Sequence, residues 1–120
     1  MPSPLSERDF EVWDDILSNG RAAQRFVAGM TFEAFTEDIR TNYAVVRCLE
    51  IVSEASRRII SAETKARHPH VPWCIIADAV NFYRHSYHRV ALDIVWGTVH
   101  EKLPILVAAA EAELGRPPDR

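Results

Sequence analysis

The stretch Asn42-Tyr43-Ala44-Val45-Val46-Arg47-Cys48-Leu49-Glu50-Ile51-Val52-Ser53-Glu54-Ala55-Ser56-Arg57-Arg58-Ile59-Ile60 decides the fold class. Asn42, Val45, Val46, Leu49, Val52, Ser53, Ser56, Ile59 and Ile60 recur at three-and-four spacing. That is the apolar stripe of an amphipathic bundle helix. Arg40, Arg47, Glu50, Glu54, Arg57 and Arg58 fall mainly on the outer faces, and Asp38 is placed to cap the start.

Working back from this helix, Thr31 caps a short corner containing Phe32 and Phe35. A first long helix over about Glu7 to Ala28 precedes it, opened by Ser6 and Asp9 and striped by Phe10, Trp13, Leu17, Gln24 and Val27. Gly20 inside it costs ~1 kcal/mol relative to Ala, which a closely packed neighbouring helix would tolerate, and Gly29 supplies a left-handed stop. Working forward, Ser61 to Val71 carries charge without apolar period and reads as a loop with one helical turn. Pro72 suits the first position of a third long helix, which uses Trp73, Ile76, Ala79, Val80 and Tyr83 as its inward stripe and ends near Ser86 to His88. A fourth helix begins around Ala91 with Leu92, Val95, Val99 and Leu103 in register. Pro104 kinks or breaks it before the apolar face resumes to Leu114.

No segment alternates with the period of two expected of a half-buried strand. The expected fold is therefore all-α, an up-down bundle of four long helices with a short corner helix. It forms one domain over residues 1–115 followed by a flexible tail at 116–120. A chain of 120 residues buries roughly two thirds of its unfolded surface and needs neither disulfide nor metal to hold its core. Cys48 and Cys74 both lie in apolar helical patterns and read as buried thiols. The N-terminus lacks the pattern of a signal peptide and no apolar run reaches membrane length, so a cytoplasmic protein without a membrane partner is expected. A net charge of −3 does not suit a general grip on DNA, and any RNA contact would come from a local basic patch.

The chemistry concentrates in Val80-Asn81-Phe82-Tyr83-Arg84-His85-Ser86-Tyr87. Residues four apart share a helical face, which makes Asn81 and His85 neighbours. An imidazole there can take a proton from a ribose 2′-hydroxyl or give one to a leaving oxygen, while a guanidinium such as that of Arg84 stabilises charge on phosphorus. Such a set cleaves RNA without a metal. The same histidine also reads as a half-buried residue or a helix C-cap. His68, His70 and Cys74 match no standard zinc spacing, so neither a metal site nor a cofactor is expected.

The chain resembles the HepT-like branch of the HEPN superfamily. The resemblance is carried by Phe26-Val27-Ala28-Gly29 with Phe32-Glu33-Ala34-Phe35, by Ala44 through Ala55, by Arg67-His68-Pro69-His70-Val71-Pro72-Trp73, and by Leu92-Asp93-Ile94-Val95-Trp96 with Leu103-Pro104. It implies a HEPN-like helical fold and a dimeric, metal-independent endoribonuclease that is the toxin of a toxin–antitoxin pair. The implied partner is a minimal nucleotidyltransferase antitoxin that transfers AMP to a tyrosine. The family signature, Arg-Asn-x-x-x-His-x-Tyr, implies a catalytic role for His85 and Asn81 and makes Tyr87 the AMP acceptor. Val80 stands where the signature has arginine. Arg84 points about a quarter turn away from His85 on a helix, and Arg47, Arg89 or a second subunit are the other sources of charge. Loss of one preorganised donor costs ~3 kcal/mol or more in the transition state. The alternative is a catalytically degenerate HEPN dimer that binds a nucleotide or a nucleotidyltransferase.

Overall fold

The computed structural model describes residues 6–58, 62–73, 78, 80–81 and 89–118, and every regular element among them is helical. Helix α1 spans Glu7–Val27, and the Ser6 hydroxyl accepts the Asp9 N–H at 3.1 Å to start it. It ends through Ala28 and Gly29, whose φ of 77° is the left-handed value expected of the stop. The corner is helix α2, Phe32–Glu37, capped by Thr31 through the Ala34 N–H at 3.1 Å.

Helix α3, Ile39–Arg58, is the amphipathic helix of the central pattern. Asp38 opens it by accepting both the backbone N–H of Thr41 at 3.1 Å and its hydroxyl at 2.8 Å. Those bonds hold the Asp38 carboxyl below its ordinary range. Val45, Leu49 and Val52 are fully buried, as the three-and-four spacing requires, while Ile59 and Ile60 lie outside the described residues.

The core is built around α1. It packs most extensively along α3, and on its other flank against the last helix, here α6, Leu103–Leu114. Gly20 sits at that second contact: a Cβ added there would lie 2.7 Å from Val107 Cγ2. The helical cost of this glycine is therefore offset by a close approach of α6, as expected from its place in the pattern. The linker after α3 contains one turn, α4, Ala62–Ala66. No helix among the described residues is long and apolar enough to cross a membrane.

The C-terminal segment differs from a simple kink at Pro104. Helix α5, Arg89–Gly97, runs into a π-helical turn, Thr98–Lys102, and on into α6, so the chain stays helical from 89 to 114. Leu103 donates its N–H to the carbonyl of Thr98, five residues back. The wider turn takes up the strain that a proline would otherwise impose on a straight helix.

Candidate functional site

Asp78, Val80 and Asn81 are helical, consistent with a third helix through the signature. Pro72 and Trp73, expected to open that helix, are not helical; residues 74–77 and 79 lie outside the described residues, as do Arg84, His85 and Tyr87 and the helix end expected at Ser86 to His88. Adjacent helical positions point about 100° apart, and here that separates the two signature positions sharply. Val80 is 2% exposed and belongs to the core cluster, whereas Asn81 is exposed. The amide is open to a ligand, and the valine serves packing.

Two of the arginines considered as replacements fall within the described structure. Arg89, at the start of α5, pairs with Glu33 of α2 and places its guanidinium 5.1 Å from the centre of the Phe32 ring. Both members of that pair are exposed, so it is a surface tether with its charge neutralised locally. Arg47 is exposed on α3 next to Cys48. Burial pushes the Cys48 thiol up, against the opposing pull of the Arg25 and Arg47 charges, so this free cysteine stays protonated and unreactive.

A second polar cluster lies just before the signature helix. The guanidinium of Arg67 donates to both carboxylate oxygens of Glu113 on α6, at 2.7 and 3.1 Å, and His68 Nε2 meets the same carboxylate at 2.7 Å. An ionised carboxylate only accepts, so Nε2 carries the proton. The Arg67 bonds, helped by His68, hold the Glu113 carboxyl below its usual range against the opposing effect of burial. The Trp13 ring stands edge-on to His68 at 5.8 Å and to Trp73 at 5.9 Å. This clasp fixes residues 67–73, the approach to the signature helix, onto the α1 and α6 pair. Among the described residues no three His, Cys, Asp or Glu side chains are grouped as metal ligands require.

The third polar region follows α5. Trp96 packs on Phe35 and Phe32 with centroids 5.2 and 5.9 Å apart, and the His100 ring lies 4.1 Å from Trp96 on the solvent side. His100 Nδ1 is 2.8 Å from the Trp96 carbonyl. Beside His100 opens a groove of about 290 Å³ lined by Gln24, Val27, Met30, Val99 and Pro104 among others. Neither the Glu113 clasp nor this groove was visible in the linear pattern. The clasp joins residues 45 and 46 positions apart, and the only sequence signal for the groove was Pro104 itself.

The family model for Ribonuclease HepT-like proteins matches residues 16–113, from the middle of α1 to the end of α6. This chain belongs to the HepT-like ribonuclease family. It is 36% identical over 93 residues to a Thermococcus cleftensis protein named as a probable ribonuclease HepT, covering 78% of this chain and 84% of that one. A Methanocaldococcus jannaschii protein named as a candidate RNase is 31% identical over 101 residues, with 83% and 92% covered. A Caldanaerobacter subterraneus protein named in the same way is 36% identical over 80 residues, with 67% and 70% covered. No solved structure matches the chain significantly. The HepT-like match includes the Glu113 clasp and the π-turn as well as the signature.

Proposed function

We propose that this HepT-like chain is an RNA endonuclease, the toxin of a toxin–antitoxin module, acting from a single domain over residues 1–115 as a homodimer. The observation that carries the reading is the family match over residues 16–113, together with an exposed Asn81 four positions before His85 in the signature. In the proposed reaction His85 takes the proton of a ribose 2′-hydroxyl, and the 2′-oxygen bonds to phosphorus. The bond to the 5′-oxygen breaks, and that oxygen takes up a proton from water or from the now protonated His85. Asn81 orients the phosphate or the imidazole, and Arg84 or Arg47 supplies charge to the phosphoryl oxygens. A minimal nucleotidyltransferase is the proposed antitoxin, silencing the toxin by AMP transfer to Tyr87.

Incubating the purified protein with a panel of tRNA and mRNA in EDTA tests the nuclease reading, with cleavage expected to disappear in His85→Ala. Coexpression with the nucleotidyltransferase tests the regulation. One added AMP on Tyr87, absent from Tyr87→Phe, is the expected mass-spectrometric result.

The buried Val80 favours a second reading in which the same dimer has lost most of its catalytic rate and acts by binding. A missing charge donor lowers the rate by on the order of a hundred- to thousand-fold. Arg89 does little to fill the gap, because Glu33 already holds it.

A further inference from the structure

The outward face of α3 carries its charges in an order that the helix itself does not favour. Counting about 100° per residue, Arg40, Tyr43, Ala44, Arg47, Glu50, Ile51 and Glu54 fall within an arc of about 120°. Arg40, Tyr43, Arg47 and Glu54 are exposed, and Ala44, Glu50 and Ile51 are half-buried beside them. Tyr43, 61% exposed, is the most exposed large apolar side chain among the described residues. On this face the two cations come first and the two anions last, so its charges cancel although the chain as a whole carries −3. A helix macrodipole prefers the reverse order, and Arg40 stands in the first turn, where a cation is disfavoured. Arg47 ahead of Glu50 is also the weaker orientation of an intrahelical pair. The cations that end the helix are taken up within the chain: Arg58 by Asp15 of α1 at 3.8 Å, and Arg57 by the Ser53 hydroxyl at 3.2 Å.

We propose that this face pairs with the same face of a second copy, the two α3 helices running antiparallel about a two-fold axis at Arg47. In such a contact residue i meets residue j, and j meets i. Arg40 and Glu54 are equally far along the helix from Arg47, so Arg40 faces Glu54 of the second copy and Glu54 faces its Arg40. Tyr43 falls beside Glu50 of the second copy, whose carboxylate accepts from the phenol, and Ala44 falls beside Ile51. The two Arg47 side chains meet at the axis, and Glu50, one turn away on each helix, offsets their like charge. A parallel pairing would set cation on cation and anion on anion, so the order of the charges selects the antiparallel one. Tyr43 and Ile51 supply the apolar area to be covered. The inference names the contact face of the homodimer proposed above and rests on that dimer, not on the cleavage chemistry.

The test is sedimentation velocity of the full chain over a wide range of concentration, for wild type, Arg40→Glu, Glu54→Arg and an equimolar mixture of the two variants. Both positions are exposed, so each variant is expected to keep the wild-type helical content by circular dichroism. Wild type is expected to dimerise. Each variant alone sets like charge against like charge twice per dimer and should weaken association roughly tenfold or more. In the mixture every contact between position 40 of one variant and position 54 of the other is again between opposite charges, so a heterodimer of near wild-type affinity is expected. Mixing does not restore a contact made within one chain. A wild-type monomer at every concentration overturns this pairing together with the homodimer, and leaves RNA cleavage to its own assay. A wild-type dimer that both variants leave intact overturns the pairing alone. Weakened variants that do not recover on mixing overturn the antiparallel register.

Discussion

The Glu113 clasp and the π-turn groove lie on two parts of the same C-terminal helical run, and they treat polar groups in opposite ways. In the clasp the Glu113 carboxylate is occupied by both Arg67 and His68, with its side chain only 9% exposed. Along the π-turn Leu103 donates to Thr98, five residues back, and His100 is an exposed residue whose Nδ1 donates to the Trp96 carbonyl. A closed set of partners such as the clasp's stabilises the fold. Burial at Val80 and exposure at Asn81 repeat the contrast within two residues of the signature.

The largest expected break in this comparison is Glu113→Ala. It leaves the Arg67 charge and the His68 ring without their shared acceptor and should cost about 3 kcal/mol, read by urea unfolding. Next is the pH dependence of the clasp. The folded carboxyl lies below its ordinary value, so its contribution is fully present above the unfolded pKa of about 4.3 and is lost as pH falls through the folded value. The stability difference between wild type and Glu113→Gln should therefore be constant from neutral pH to about 5 and shrink below about 4. Pro104→Ala restores a backbone N–H to the turn. It should raise stability by about 1 kcal/mol or less, read by urea unfolding. His100→Ala is the smallest change in stability, within about 0.5 kcal/mol.

Much of this fold is written locally. The α3 stripe, the caps at Ser6, Thr31 and Asp38, and the stop at Gly29 each depend on residues within a few positions, and each is present as the pattern implies. Gly20 could be understood only as a packing residue, and its partner Val107 could not be named from sequence because the contact joins distant helices. His68 illustrates the same limit. Read linearly, it sits in a charged loop beside prolines. In the fold it is a buried partner of a carboxylate 45 residues away. Pro104 pointed to a disrupted helix, but whether the chain breaks or widens depends on the packing of α6 against α1. The signature was legible as a motif, and the structure adds that one of its two described positions is buried and the other exposed. The roles proposed for His85 and Tyr87 rest on the family signature, and that of Arg84 on its place beside His85 in the sequence.

The activity proposed for this chain is RNA cleavage with His85 despite a valine at the arginine position. The direct measurement is the cleavage rate of one RNA substrate in EDTA by wild type, His85→Ala and Val80→Arg, each checked for folding. The arginine variant needs that check because position 80 is 2% exposed, where a guanidinium has to reach out of the core. The expected result is slow cleavage by wild type and none by His85→Ala. Intact RNA with folded wild-type protein, and cleavage only with Val80→Arg, would contradict catalysis by this chain and leave the binding reading in its place.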